Sequence, residues 1–149
     1  MPCNDLNKGR YSQSQGEYFI TFKTEANSTH FYDFELACMF CQQLKINEKH
    51  HQCTWLAWVL MPDHFHGLVR LDSKTDLSAV IGPLKGRSDK ALNHIRKSRG
   101  KIWQEGFYDR ALRTEDDRKN IARYIVANPL RKKLVSSVRN YPYWDSVYL

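Results

Sequence analysis

His64 and His66 stand two residues apart in the run His64–Leu71. In an extended strand alternate side chains share a face. Both imidazoles therefore point one way, while Phe65, Val69 and Leu71 point the other way and can join a core. Two imidazoles a few ångströms apart suit a divalent cation. Further along, Tyr124 and Asn128 are four residues apart, a spacing that puts two side chains on one helix face. They would present a phenol and a neutral amide oxygen together. A tyrosine is a poor nucleophile near neutral pH, because a phenol ordinarily titrates at about 10. A cation gripped by His64, His66 and Asn128 would offset this by polarising a phosphate and orienting the attack. Such a ligand set leaves positions open for phosphate oxygen and water, and Mg²⁺ or Mn²⁺ fits it. The chemistry indicated is phosphodiester transfer with Tyr124 as nucleophile. A covalent phosphotyrosine would conserve bond energy, so the cut could be rejoined. Each residue also has a plainer reading: the histidines as surface or core residues, Tyr124 as a core aromatic beside Ile121, and Asn128 as a helix C-cap.

Particular elements must hold these groups. Glu17–Lys23 is rich in aromatic and β-branched residues, as strands are. Residues 31–47 carry Phe34, Ala37, Cys38, Cys41 and Leu44 at helical spacing. Residues 52–61 contain the apolar run Thr54–Met61, which reads as a strand covered on both faces. Pro62-Asp63 is turn chemistry, so His64–Leu71 returns as the second arm of a hairpin. Residues 77–97 predict a helix weakened at Gly82-Pro83 and Gly86, and residues 102–112 a fourth strand. A last helix is predicted from Thr114 as N-cap to Asn128, with Asp116 and Asp117 at its positive end and Pro129 stopping it. The order β-α-β-β-α-β plus a C-terminal helix describes an α+β, ferredoxin-like sheet with helices on one face and the other face free for a site. Residues 16–149 are expected to form one domain, and residues 1–15 a flexible N-terminal segment.

The bulk composition fits this reading. With 42% hydrophobic and 26% charged residues, the chain is expected to be globular rather than disordered. No apolar run approaches the roughly 20 residues of a membrane helix, and the first 14 residues lack an apolar signal core. A cytoplasmic protein with no membrane partner is therefore expected. Four cysteines occur, and Cys38-x-x-Cys41 has no second pair to complete a zinc site. Its spacing instead suits buried thiols on a helix face. The net charge is +7, which suits a polyanionic partner. From Lys85 to Lys133 there are 15 Lys and Arg against 6 Asp and Glu, whereas the remaining residues carry 8 against 10. The later half thus holds the whole excess.

Several blocks together resemble one family. Trp58–Val69 (WVLMPDHFHGLV) resembles the HUH motif, in which a bulky apolar residue separates two histidines, of the single-tyrosine transposases. Leu84–Ser88, Ala91–Asn93, Ile102–Arg113, Ala122–Arg131 and Tyr141-Pro142 extend the likeness to REP-associated tyrosine transposases, relatives of the IS200-type insertion-sequence enzymes. The likeness covers roughly residues 16–146. It implies an HUH fold and single-stranded, hairpin-bearing (REP-like) DNA as partner. It also implies a divalent metal, Mg²⁺ or Mn²⁺, and a 5′-phosphotyrosine intermediate with a free 3′-OH. By position, His64 and His66 take the metal-ligand roles, Tyr124 the nucleophile role and Asn128 the third-ligand role. The resemblance assigns phosphate contacts to Lys85, Arg87, Arg96, Lys97, Arg110, Arg113 and Arg123. It points to base stacking by Trp103, Phe107 and Tyr108, for which core packing is the plainer reading. This chain departs from the pattern at Asp63, where Asn is common, and at Lys132-Lys133, where a small residue is common. The first change is not expected to bear on metal binding, and the second adds charge after the catalytic helix. Oligomeric state stays open between monomer and homodimer. Two other readings remain: a non-catalytic hairpin-binding module on the same fold, and a hydrolytic nuclease whose nucleophile is water.

Overall fold

The computed structural model describes residues 16–72 and 75–149. The expected flexible segment, residues 1–15, and Cys3 within it lie outside the described residues. Five strands form one antiparallel sheet in the order β4-β1-β3-β2-β5. They are β1 (Glu17–Lys23), β2 (Cys53–Met61), β3 (His64–Leu71), β4 (Tyr108–Ala111) and β5 (Trp144–Ser146). The helices are α1 (Phe34–His51), α2 (Leu77–Arg96), α3 (Arg118–Val126) and the four-residue α4 (Asn128–Arg131). The α+β ferredoxin-like arrangement expected from the element order is what the chain adopts. β5 is an addition that the aromatic tail did not announce.

The sheet's first face is covered by α1 and α2. Tyr18, Ile20 and Phe22 of β1 meet Phe65, Val69 and Leu71 of β3 there, with Phe31, Phe40 and Trp103 closing over them. The second face is smaller. Ala57, Val59 and Met61 of β2 and Leu68 of β3 pack under Ala122 and Ile125 of α3, with Tyr141 alongside. The continuous apolar run in β2 therefore has its predicted cause, a strand covered on both faces. An extra residue at Leu56 shifts the β2–β3 register between Trp55 and Ala57. This bulge puts Trp55 in the first core and both Leu56 and Ala57 in the second. The second face is thus free only beyond α3, not over its whole width as expected.

Several boundaries differ from the sequence expectation for physical reasons. α2 runs unbroken through Gly82-Pro83 and Gly86, because Leu77, Val80, Ile81, Leu84 and Leu92 keep an apolar stripe against the sheet. Its N-cap is Asp76, whose carboxylate accepts from the Ala79 N–H at 2.8 Å. α1 starts at Phe34 rather than at residue 31, capped by Asp33, and Phe34 itself is exposed. Cys38 and Cys41 are half-buried free thiols on α1, and burial pushes the Cys41 thiol up to about 12. The fourth strand is short because Ile102 and Trp103 dive into the first core before β4 begins. No helix among the described residues is long and apolar enough to cross a membrane.

Candidate active site

β3 carries the two histidines on the second face of the sheet, just past the edge of α3. His64 and His66 have ring centroids 4.7 Å apart. Strand pairing places Thr21 of β1 opposite His66 and Lys23 opposite His64. The Thr21 hydroxyl and His66 Nδ1 share a hydrogen bond of 2.8 Å. Asp63 Oδ1 lies 2.6 Å from His64 Nδ1. A carboxylate only accepts, so the His64 hydrogen sits on Nδ1, and in the neutral ring Nε2 keeps its lone pair. Carboxylates stand behind metal-binding imidazoles in this way, fixing tautomer and ring direction. Asp63, read from sequence only as a turn residue and a harmless departure, is therefore a direct partner of His64. The turn itself is clamped. Thr24 N–H and Oγ1 both donate to the Asp63 carbonyl, at 2.9 and 3.1 Å, and Phe31 N–H donates to the Pro62 carbonyl at 3.1 Å.

Burial, aided by the nearby charges of His64, Arg131, Lys23 and Lys132, holds the His66 imidazole down at about 4. His66 is therefore neutral at neutral pH, the form that can give a lone pair.

α3 brings the other half. It is capped by Asp117, whose carboxylate accepts from Asn120 N–H at 3.0 Å. Thr114 is not the N-cap, because residues 114–117 are taken up in a turn where Asp116 accepts from Arg113 N–H at 2.6 Å. Arg118 pins the start of α3 to β1 through two nitrogens on Glu17 Oε2, at 2.7 and 2.6 Å. Ile121, Ala122 and Ile125 face the sheet, so Tyr124 is left 57% exposed at the helix edge. The chain does not stop at Pro129. It bends at Ala127 and continues as α4, where Pro129 occupies one of the first positions and its missing N–H costs nothing. Asn128 is consequently not a C-cap. The residue is buried, at 4% exposure, and lines the cavity that the two histidines share. Arg131 of α4 folds back, with its guanidinium carbon 4.0 Å from the centre of the Tyr124 ring.

The structure gathers His64, His66, Tyr124 and Asn128 around one cavity of about 500 Å³, with Lys23, Arg131 and Lys132 among its walls. Two imidazoles and one cavity-lining amide are a coherent donor set for a hard or borderline divalent cation. Among the described residues no three His, Cys, Asp or Glu side chains converge to hold a metal. The protein donors would thus be neutral overall, and the cationic walls favour an anion such as phosphate as the completing ligand. Thr21, Lys23, Asp63 and Arg131 are site residues that the sequence reading missed. Thr21 and Lys23 become visible only once the β1–β3 register is known, whereas Asp63 had a signal in its position directly before the first histidine.

The residues expected to touch DNA divide. Tyr108 and Arg110 of β4 lie on the same sheet face as the histidines, beside Tyr124. Arg113 and Arg123 are exposed before and along α3. Arg87 and Arg96 on α2, and Lys97 at its C-terminal cap, are exposed in the layer on the opposite side of the sheet. Two expectations are corrected. Trp103 does not offer a stacking face: it is 2% exposed, stacked on Phe31 at 5.3 Å, and its Nε1–H donates to Ser88 Oγ at 2.9 Å. Lys85 is no free phosphate contact, since its ammonium donates to the carbonyls of Gln104 and Gly106 at 2.6 and 2.5 Å. Phe107 is half-buried and packs against the first core.

Comparison with known proteins adds to this geometry. The family model for transposases of the IS200-like kind matches residues 12–128. A Haemophilus influenzae protein assigned as a REP-associated tyrosine transposase is 29% identical over 138 residues, covering 86% of this chain and 78% of that one. The REP-associated tyrosine transposase of Escherichia coli is 30% identical over 88 residues, covering 58% of this chain and 50% of that one. Among solved structures, a REP-associated tyrosine transposase bound to a REP hairpin superposes with a TM-score of 0.76 at 24% identity. It covers 91% of this chain and 79% of that one, and shows a shared fold.

Proposed function

Since this chain belongs to the IS200-like transposase family, we propose that it nicks and rejoins single-stranded DNA bearing REP-type hairpins, with Tyr124 as nucleophile. In this reading residues 16–149 act as one domain, in the cytoplasm where bacterial DNA lies. The observation that carries it is the single cavity shared by His64, His66, Tyr124 and Asn128. His64, His66 and Asn128 would hold Mg²⁺ or Mn²⁺. When bound, the cation supplies Lewis acidity toward a phosphate oxygen.

The chain's own residues do the rest. Tyr124 Oη attacks the scissile phosphorus, and a P–Oη bond forms as the P–O3′ bond breaks. The phenol gives up its proton and the departing 3′ oxygen takes one, so the strand ends as 5′-phosphotyrosine and free 3′-OH. Attack by a 3′-OH on the same phosphorus reverses the step and frees Tyr124. Arg131, seated over the phenol ring, places positive charge where the phenolate and the phosphate oxygens gain negative charge. Asp63 and Thr21 fix the two imidazoles, and Lys23 and Lys132 draw the backbone into the cavity. Arg110, Arg113 and Arg123, on the nucleophile's side, contact phosphates of the cut strand. Arg87, Arg96 and Lys97, across the sheet, are left for DNA outside the cleavage site.

The test is incubation with end-labelled single-stranded hairpin DNA and Mn²⁺, followed by a denaturing gel. A protein–DNA band that vanishes in Tyr124→Phe is the expected result. Cleavage without any such band, surviving in Tyr124→Phe, would instead assign water as the nucleophile.

A further inference from the structure

Tyr124 has a second side. Away from the histidines it lines a separate cleft of about 370 Å³, closed by Phe19 of β1, Tyr108 and Arg110 of β4, and Asn120 and Ile121 of α3. We propose that this cleft is a subsite for one unpaired nucleobase next to the scissile phosphate. The proposal rests on the reading of Tyr124 as the strand's attachment point.

The chemistry of the walls fits a base better than a phosphate or an aliphatic group. Three aromatic rings line a space ample for a single planar ring system. Tyr108 is 59% exposed and projects from β4, so its face is available for stacking. Aromatic–base stacking tolerates any base. The polar groups are few and placed at the rim, as in small-molecule sites. Asn120 stands one helical turn before Tyr124. Among the described residues its side-chain oxygen accepts from the Arg123 guanidinium at 3.4 Å, which leaves the amide able to pair with a base edge. Arg110 sits directly opposite Phe19 in the strand register. Its guanidinium touches Asp116 at a loose 3.5 Å, so it can turn to the phosphate that joins this base to its neighbour. Because one residue, Tyr124, walls both cavities, a strand whose phosphate lies at its Oη has its adjoining sugar within reach of the cleft. The subsite would thus set which nucleotide beside the cut is held, and Asn120 would bias which base it is.

The experiment measures affinity by fluorescence anisotropy, using hairpin DNA with a single-stranded extension and one abasic residue moved through every unpaired position. With the wild-type protein, one position should lose about tenfold in affinity when its base is removed. Tyr108→Ala should lose a similar factor on intact DNA and lose nothing further at that one position, whereas Tyr108→Phe should behave as wild type. Asn120→Ala should flatten the preference among the four bases at that position. Losses from the abasic site and from Tyr108→Ala that multiply at every position would overturn the subsite, as would an affinity indifferent to all abasic positions. The parallel adduct gel separates the two ideas. A covalent band with no base-sensitive position sinks the subsite alone, and a base-sensitive position without any band sinks the nucleophile role of Tyr124.

Discussion

Phe65 and His66 are neighbours on β3, yet they inhabit different chemistries. Phe65 is fully buried, at 4.9 Å from the Phe22 ring and 5.3 Å from the Phe40 ring. On that side of the sheet several polar atoms are answered from within: Trp103 Nε1 finds Ser88, and the Asn47 side chain donates to the Val80 carbonyl and accepts from Trp55 Nε1, while His51 Nε2 at the end of α1 is buried without a partner among the described residues. On the other side, one residue along, Asn128 lines a cavity and the two imidazoles make their hydrogen bonds through Nδ1. One strand therefore serves as both scaffold and instrument. The face packed with aromatic rings supplies rigidity. The face that turns its donors toward a cavity supplies binding.

Mutations on the two faces should separate stability from chemistry. The largest effect belongs to Tyr124→Phe, expected to cut covalent adduct formation by at least about 1,000-fold on a denaturing gel. It should leave the thermal midpoint unchanged, because Tyr124 is 57% exposed and the ring is kept. Phe65→Ala is its counterpart: about 3–5 kcal/mol of stability lost in urea titration. Proportionate inactivation by Phe65→Ala with no loss of stability would break the division between the faces. Gly67→Ala probes the seam. A Cβ there would lie 2.6 Å from Trp55 Cζ3 and 2.9 Å from Phe65 Cε1, so about 1–3 kcal/mol of overpacking cost is expected in the same titration. On the instrument side, Asp63→Asn should weaken Mn²⁺ binding about 10-fold by calorimetry, with stability nearly untouched. The smallest effect sharpens the comparison across the sheet. Arg110→Ala should lower the slope of log affinity against log salt by about 1, whereas Arg87→Ala should leave the cut strand's slope alone.

Much of this was legible in the amino-acid sequence. Strand alternation placed His64 and His66 on one face and Phe65, Val69 and Leu71 on the other, because a period of two leaves no third option. The apolar run of β2 announced a strand covered twice. Other features depend on tertiary partners. Pro83 would end an isolated helix, but an apolar stripe held against the sheet keeps α2 going through it. Trp103 reads from sequence equally as a stacking residue or a core one, and its position among Phe22, Phe31 and Phe40 shows it as core. The i to i+4 spacing rightly joined Tyr124 to Asn128, although the helix bends between them at Ala127. Thr21 and Arg131 lie 45 and 65 positions from His66 in the chain, and no local pattern ties either to it.

The sheet's outermost members are its shortest, four residues in β4 and three in β5. They flank strands of seven to nine residues. β5 pairs along Ala57–Val59, so the middle of the long apolar β2 is not a border. A molecule built this way offers other copies little backbone to zip onto. Removing the last few residues of the chain would uncover the middle of β2 and expose a backbone edge prone to polymerise.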